Sequence, residues 1–553
     1  MSASIPLVFK LASEDWEFEA IHHLNYKTFV EEIPQHQPSP TQRLVDKFHA
    51  ENTYLICLKG RKLVGMLAVR GHRPFSLDSK VDNLDSFLPP GKKPCEVRLL
   101  AIEKHFRSGQ VLQGLLALLW QYTIEQGCDF AVISGTMRQT KLYRHLGFVP
   151  FGPVVGTAGA QFQPMMITLE TFEQAARDFL RASPGRSFQT TQANFLPGPV
   201  AIHRLVKRAF EQPPESHRGE AFMADFQTVK KLLCQLTGAG RVEILLGSGT
   251  LANDVVAAQL SLETQPGVIL VNGEFGVRLV DHATRFGLKF ETISSPWGEA
   301  FDLAAVDSAL RAPQSAIQWL WFAHCETSTG VLNDLEGLKA LCAARGVKLC
   351  VDAISSIGTT AVDLRGVHFA SGSSGKGLAS YPGLGLVFHS HEVSPSSQLP
   401  RYLDLGYYAK NEGVAFTHSS NLVHALHAAL KRARWPEHFR EVAELMDWLR
   451  ARLRELGFDM IDVPGRMSPA VVTLRLPAEL DSAKVGARLQ ETGYLVSCNS
   501  EYLRAKNWIQ VCLMGECSRD KVISLANALN RVCFKPHKPA VGEAEKTVPA
   551  AVK

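Results

Sequence analysis

The sequence predicts two mixed α/β bodies in one chain: a smaller α+β domain, then a larger domain on a mostly parallel sheet with its own small α+β subdomain. Three observations carry this. At about 100–200 residues per domain, 553 residues are too many for one core. From about residue 190, apolar strand patterns alternate with helical ones, as in a parallel sheet covered by helices on both faces. Before that point the segments are shorter and include a hairpin pattern.

In order, Tyr54–Lys59 (YLICLK) and Lys62–Val69 (KLVGMLAV) flank a Gly60–Arg61 turn. Val97–Ile102 is the next strand, and a helical pattern runs from Val111 to Glu125. Phe130–Ile133 reads as a buried strand, and Gln139–Leu146 as a short helix stopped by Gly147. An amphipathic stretch around Leu169–Ala182 leads into Ala182-Ser-Pro-Gly-Arg-Ser187, the best linker in the chain. Further strands are expected at Val242–Leu246, Val268–Val271, Ile317–Phe322, Lys348–Val351 and Gly385–Phe388, with helical spacing between them, as at Asp334–Arg345. Past about 430, two long helical stretches surround strands near Val471–Arg475 and Trp508–Leu513. The expected divisions are 1–175, a linker at 176–194, 195–430, 431–535, and a polar tail at 536–553 that is expected to be disordered. No internal repeat is visible.

Composition narrows the function classes. Lys and Arg number 59 against 54 Asp and Glu, a net charge of +5, which is no footprint for nucleic acid or a membrane surface. Apolar residues at 46% and charged residues at 20% suit a soluble globular chain. The eleven cysteines form no C-x-x-C, and Cys512 and Cys517 lack a second ligand pair, so no metal site is expected. Scattered thiols suit a reducing, cytoplasmic location. The N-terminus does not read as a secretory signal, and the most apolar window, Leu112–Trp120, is well short of a span of roughly 20 residues.

Chemistry enters with three local patterns. Val242–Leu246 runs into Gly247-Ser-Gly-Thr-Leu-Ala252, a strand followed by Gly-x-Gly-x-x-Ala and a helical pattern. Such a turn offers bare N–H groups and a positive helix end to a phosphate. A ligand-free turn and a degenerate dinucleotide fingerprint share the pattern. Lys348-Leu-Cys-Val-Asp352 puts an acid at a strand's C-terminal edge, where parallel sheets bind ligands, although a helix cap or a surface charge can stand there too. Phe369-Ala-Ser-Gly-Ser-Ser-Gly-Lys376 reads as a small-residue loop with one lysine. Ala370 and Gly377 exclude a Walker A loop. Phosphate turn, strand-end acid and lysine, in that order, form one chemical set.

This stretch resembles the class V pyridoxal-phosphate enzymes of fold type I, most of all the 2-aminoethylphosphonate and alanine–glyoxylate transaminases. The matching runs are Pro197-Gly-Pro199, Gly247-Ser-Gly-Thr250, Asn272-Gly-Glu-Phe-Gly-Val-Arg278, His324-Cys-Glu-Thr-Ser-Thr-Gly330, Val351-Asp-Ala-Ile-Ser-Ser356 and Gly375-Lys376…Pro382-Gly-Leu-Gly385. They lie within roughly Phe195 to Cys533. The resemblance implies a seven-stranded, mostly parallel sheet, pyridoxal 5′-phosphate as cofactor, and amino transfer between a small amino donor and an oxo acceptor. It implies that Lys376 links covalently to the cofactor and then carries a proton, and that Asp352 pairs with the ring nitrogen. Ser248, Gly249 and Thr250 fall where the family holds the phosphate, and Phe275 where it stacks an aromatic ring. Thr327 and Ser328 fall in its cofactor-side segment, and His324 matches as a structural histidine. Thr417 matches a segment that reaches the neighbouring subunit's phosphate, which implies a homodimer.

Two positions depart from the family. Its carboxylate-clasping arginine is replaced by Gln510, in Trp508-Ile-Gln-Val-Cys-Leu-Met-Gly515, with Arg504 nearby as a candidate substitute. Gly375 replaces the usual side-chain amide before the lysine.

The order of elements in the first domain, a hairpin, a strand, a helix, a strand and a short helix ended by Leu142-Tyr-Arg-His-Leu-Gly-Phe148, resembles the GNAT N-acyltransferases. Their Arg/Gln-x-x-Gly-x-Gly/Ala signature meets the acyl-CoA diphosphate at a helix start. Here Arg107-Ser-Gly-Gln-Val-Leu112 keeps the arginine, moves the glycine one place early and puts Leu112 at the last small position. Tyr143 matches the residue that protonates the departing thiolate, while simple packing is the other reading of it. Phe18–Glu31 and Gly152-Pro153 are similar to a branch that acylates amino acids from long-chain thioesters. The expectation is an aminotransferase fused to a domain that N-acylates its amine product, with acyl-CoA as a second ligand. The alternatives are a class V lyase or desulfurase, for which neither Cys498 nor Cys512 has a supporting motif, and an inactive acyl-CoA-sensing first domain.

Overall fold

The computed structural model describes residues 6–107, 109–126, 128–157, 160–168, 171, 193–311 and 317–534. Most of the expected 176–194 linker, the amphipathic stretch apart from Thr171, and the 536–553 tail lie outside the described residues. The chain divides into unit 1 (Met1–Thr191, Glu491–Gly493, Ile523–Lys553) and unit 2 (Gln192–Gln490, Tyr494–Val522).

Unit 1 is built on an eight-stranded sheet. Its strands are β1 (Leu7–Leu11), β2 (Thr53–Lys59), β3 (Lys62–Arg70), β4 (Pro94–Ile102), β5 (Phe130–Thr136), β6 (Val149–Pro150), β7 (Val155–Thr157) and β8 (Ala160–Thr168). They run in the order β1-β2-β3-β4-β5-β8-β6, with β7 paired to β8. Helix α1 (Asp15–Tyr26) buries Phe18, Ile21 and Leu24 against Tyr54, Ile56, Met66 and Ala68 on one face. Helix α2 (Gln110–Glu125) buries Val111, Leu115 and Leu119 against Leu55, Cys57, Val64 and Leu67 on the other. Alternate residues of β2 thus serve opposite faces, and both faces are apolar, which is why YLICLK reads as an unbroken run.

Among the described residues, the pairing of β4 with β5 is the only parallel one in this sheet and covers just Pro94–Glu96 against Phe130–Val132. Both strands continue beyond it, to Ile102 and Thr136. Leu99 sits at φ 54° and the β3–β4 register skips beside it, a bulge that bends β4 away from β5.

Unit 2 holds a seven-stranded sheet. Strand β9 (Ala193–Phe195) precedes it, and β10 (Arg241–Leu246), β11 (Gly267–Val271), β12 (Phe290–Ser294) and β13 (Trp319–Ala323) belong to it. A hairpin, β14 (Cys325–Glu326) with β15 (Val331–Leu332), comes before β16 (Lys348–Asp352), β17 (Phe369–Ser373) and β18 (Leu384–His389). The order is β10-β18-β17-β16-β13-β11-β12, with β18 alone antiparallel to its neighbours. Val242, Ile244, Leu320, Phe322, Leu349 and Val351 fill one face, and Leu245, Ile269, Trp319, Trp321 and Cys350 the other. The small subdomain pairs β19 (Asp459–Met460) with β20 (Val471–Arg475), and β20 with β22 (Trp508–Cys512); β21 (Tyr494–Val496) pairs with β9.

Two strands of the seven-stranded sheet differ from the sequence expectation. The edge strand β12 is mostly exposed, so it carries no apolar run. Phe369–Ser373, read as part of a loop, is the buried strand β17 in mid-sheet. Its small residues are a packing requirement: a Cβ added to Gly372 would stand 3.1 Å from the Phe388 ring, and Ser371 Oγ donates to Asn253 Oδ1 at 2.6 Å.

Candidate functional site

The C-terminal ends of β10, β16 and β17 bring the sequence-predicted residues of unit 2 to one edge of the sheet. After β10 the chain turns at Gly247, whose N–H donates to Gly383 O at 2.8 Å, and enters the helix Gly249–Leu260. Ser248, at the N-cap, makes no side-chain cap bond, and it and Thr250 are exposed. A Cβ on Gly249 would reach Ile354 Cδ1 at 2.7 Å, so a larger residue here would have to displace the Ile354 side chain. Among the described residues, the helix N-terminus therefore presents N–H donors without a side-chain cap beside two exposed hydroxyls.

Asp352 ends β16 and is buried. Its carboxylate accepts from Asn253 Nδ2 and from the Ile354 N–H, each at 2.9 Å. Burial pushes this carboxyl up, while those hydrogen bonds and the Lys376 charge pull it down. Lys376 follows β17, donates to Ser355 Oγ at 2.9 Å and lies 5.3 Å from the centre of the Phe275 ring. Burial lowers its pKa, with Asp352 the leading charge that opposes the shift. Ser355 also accepts from Thr327 Oγ1 at 2.6 Å. Pro197–Pro199 closes in as well: a Cβ on Gly198 would sit 3.3 Å from Gly375 O and 3.7 Å from Lys376 Cγ. Gly375 has no room for the family's amide, since its Cβ would fall 2.8 Å from Pro382 Cα.

Glu326 organises the opposite wall. Fully buried, it accepts from the Phe275 and Gly276 N–H groups at 3.1 and 3.0 Å and from Ser328 Oγ at 2.5 Å. It thus neutralises the N-terminus of the helix Glu274–Arg285 and fixes Phe275. Ser328 Oγ also accepts the Glu274 N–H at 3.1 Å. His324 is buried, with its Nδ1 3.0 Å from Ser356 Oγ, and burial lowers its pKa to about 4. Thr417 is exposed.

Gln510 is fully buried, and its amide is already committed. Nε2 faces Thr327 O at 2.5 Å, Ser328 O at 3.0 Å and Thr473 Oγ1 at 2.9 Å, while Oε1 accepts from Tyr502 OH at 3.0 Å. Arg504 is exposed on the helix Glu501–Lys506, and among the described residues no hydrogen bond or ion pair links its side chain to this group. Cys512, on β22, and Cys498 are buried; burial pushes the Cys512 thiol up to about 12 and the Cys498 thiol up as well.

In unit 1 the gap between β4 and β5 is the corresponding feature. Tyr143, on helix α3 (Thr140–His145), hydrogen-bonds Thr136 at the end of β5, and burial raises its pKa. A Cβ on Gly135 would lie 3.0 Å from the Tyr143 ring, so the glycine admits it. Arg107, just ahead of α2, spends Nη2 on Glu32 at 2.6 Å and Nε on Ile102 O at 2.9 Å. Leu112 packs inward against the α2-side core. The other face of the gap is polar. Glu96 accepts from Ser76 N and Oγ at 2.8 and 2.5 Å, Arg98 clasps Asp46, and Lys80 Nζ donates to Ser134 Oγ at 2.9 Å.

The sequence reading missed Asn253, Ser355, Glu326, Glu96 and Lys80. Ser355 and Glu326 lie inside quoted motifs, and Asn253 is one helical turn after Gly249. Glu96-x-Arg98 is the charge pattern that puts two ions on one face of a strand. Among the described residues, no helix is long and apolar enough to cross a membrane.

Comparison with known proteins matches both units to families. Residues 20–169 match the family model "N-acyl amino acid synthase FeeM", and residues 208–411 match "Aminotransferase class-V". A 2-aminoethylphosphonate–pyruvate transaminase from Burkholderia thailandensis is 30% identical over 328 residues, 54% of this chain and 86% of the relative. Among solved structures, an aspartate aminotransferase of subgroup IV from Thermus thermophilus superposes with TM-score 0.56 at 30% identity, covering 62% of this chain and 98% of that one. An alanine–glyoxylate aminotransferase from Nostoc sp. gives TM-score 0.56 at 30% identity, covering 64% and 98%.

Proposed function

The chain belongs to the class-V aminotransferase family and carries an N-acyl amino acid synthase domain, and on that premise we propose a division of labour between its units. Unit 2 moves an amino group from a small amino donor to an oxo acceptor, with pyridoxal 5′-phosphate as cofactor. Unit 1 acylates a nitrogen from an acyl thioester such as acyl-CoA, and the amine made by the first reaction is the acceptor for the second. The observation that carries the reading is the meeting, at one sheet edge, of an uncapped helix N-terminus, the buried Asp352 and the pKa-lowered Lys376.

These three features fit the cofactor's phosphate, ring nitrogen and aldehyde. Ser248, Gly249 and Thr250 would hold the phosphate, Asp352 the protonated ring nitrogen, Phe275 the ring face and Lys376 the aldehyde carbon. Thr327 and Ser328 would brace the same side. When bound, the cofactor supplies a sink for the charge left by a departing α-proton. The chain's own work is proton handling: Lys376, kept neutral to lower pH by burial, takes and returns the proton, and Ser355 holds the amine between transfers. Gln510 would be a neutral wall of the substrate pocket, since its amide is engaged and it carries no charge for a carboxylate; the exposure of Arg504 does not support it as a replacement. The exposed Thr417 is available to a second copy of the chain, in support of a homodimer. Eleven free cysteines favour the cytoplasm.

In unit 1 the parted strands would seat the thioester. The C–N bond forms as the C–S bond breaks, Tyr143 gives its proton to sulfur, and the proton lost by nitrogen leaves to solvent. Arg107 is the proposed diphosphate contact and would exchange Glu32 for phosphate. Amino transfer is preferred over desulfuration because Cys498 and Cys512 are buried thiols rather than loop nucleophiles.

The test is a half-reaction with a panel of amino donors. A donor should bleach the visible absorbance of the lysine-linked cofactor, and an oxo acid should restore it. Lys376→Ala should lack both signals. A wild-type protein that binds the cofactor yet responds to no donor would refute the reading.

A further inference from the structure

Lys80 differs from the other charged groups on the polar face of unit 1. Arg70 pairs across the strands with Glu96, and Ala68 with Arg98, so Arg70, Glu96 and Arg98 share the face that α1 covers. Each is matched. Arg98 holds Asp46 through two bonds of 2.8 and 3.0 Å, Arg70 reaches Glu51 at 3.2 Å, and Glu96 has Ser76 as well as Arg98 Nε at 3.6 Å. Lys80 is half-buried, donates to Ser134 Oγ at 2.9 Å and rests 4.3 Å from the centre of the Phe162 ring. Among the described residues, no carboxylate forms an ion pair with it. Burial lowers its pKa, Glu96 opposes the shift, and Arg98 and Lys47 add to it. A partly desolvated cation that no carboxylate contacts directly is costly to keep.

Its position gives that cost a purpose. Val132 is the last β5 residue paired with β4, and Ser134 is the next on the same face, so the Lys80 ammonium stands where the strands part. The Tyr143 ring lies against Gly135, which points to the opposite face. A thioester in the gap would have the Tyr143 acid on one face, and an acceptor approaching from the other face would meet the Lys80 cation. Ser134 Oγ accepts from Lys80 and keeps its own hydrogen, a second donor beside the ammonium.

We propose that Lys80, with the Ser134 hydroxyl, binds the carboxylate of the amino acid whose nitrogen unit 1 acylates. This rests on the reading of unit 1 as an N-acyltransferase. A carboxylate held there sets the α-nitrogen toward the gap, and an acceptor without that carboxylate is held less well.

The test uses the full chain, an acyl-CoA, and matched pairs of amino acids and their carboxamides, with thiol release as readout. The wild type should favour the acids. Lys80→Met should raise KM for the acids by about 10- to 100-fold, the range for a charge-assisted hydrogen bond, and leave kcat, the carboxamides and KM for acyl-CoA near wild type. Lys80→Arg should keep the preference for acids. If the Met variant does not fold, Lys80→Gln, checked by its melting curve, takes its place. Equal loss on acids and carboxamides, or an unchanged KM for acids, overturns the proposal while the acyltransferase reading stands. No thiol release from the wild type with any nitrogen acceptor removes both.

Discussion

The two units make a cleft from a β-sheet in opposite ways. In unit 2 the sheet is unbroken, and the candidate groups stand on the turns that leave β10, β16 and β17. In unit 1 the sheet itself opens, because β4 and β5 stop pairing at Glu96 and Val132. A strand-end site draws on residues adjacent in sequence to the strands, so its chemistry gathers into short motifs. An opening within a sheet is made of backbone geometry and of every second side chain, so its chemistry is diluted along the chain.

The sharpest way to break the comparison is Lys376→Ala, expected to lower amino transfer by more than about 10³-fold while thiol release by unit 1 persists. Loss of both activities would mean that the two clefts are not separable. Asp352→Asn should cost roughly 10²- to 10³-fold in amino transfer, because a neutral amide no longer supports a protonated ring nitrogen; the rate of the donor half-reaction measures it. Tyr143→Phe is the mirror experiment, expected to slow thiol release about 10²-fold and leave amino transfer alone.

Two smaller effects concern stability. Burial holds the His324 imidazole near 4, below its ordinary 6.5, so between those values the unfolded chain binds a proton that the folded chain refuses. Folding therefore weakens as pH falls through that window, by about 3 kcal/mol from this residue. Urea midpoints at pH 7 and pH 4.5 should record the fall, and His324→Gln should flatten it. Gly372→Val should cost about 1–3 kcal/mol by overpacking β17 against Phe388, read as a lowered melting temperature.

Legibility in the sequence follows the same division. Lys376, Asp352 and the Ser248–Thr250 turn stand out as candidates in the sequence because each sits in a contiguous run beside a strand. Asn253 and Ser355 do not, because their roles appear only once Asn253 reaches Asp352 and Ser355 reaches Lys376 across the fold. β17 was misread for a physical reason: Ala370, Ser371 and Gly372 lack the bulk that marks a strand, and their neighbours need them small. In unit 1 the hairpin, α2 and β5 were legible from periodicity, whereas the bulge at Leu99 and the resulting gap have no signature in composition. The α1-face charges were missed because their partners, Asp46 and Ser76, come from connecting segments.

β17 also works as a spacer. Ser371 takes Asn253 from the helix that begins at Gly249, and the strand then runs on to Lys376. The thickness of that strand fixes how far the helix end proposed for the phosphate stands from the lysine. Larger side chains at 371 or 372 would alter the register between the two ends of any ligand bridging them, so this inconspicuous stretch acts as the gauge of the site.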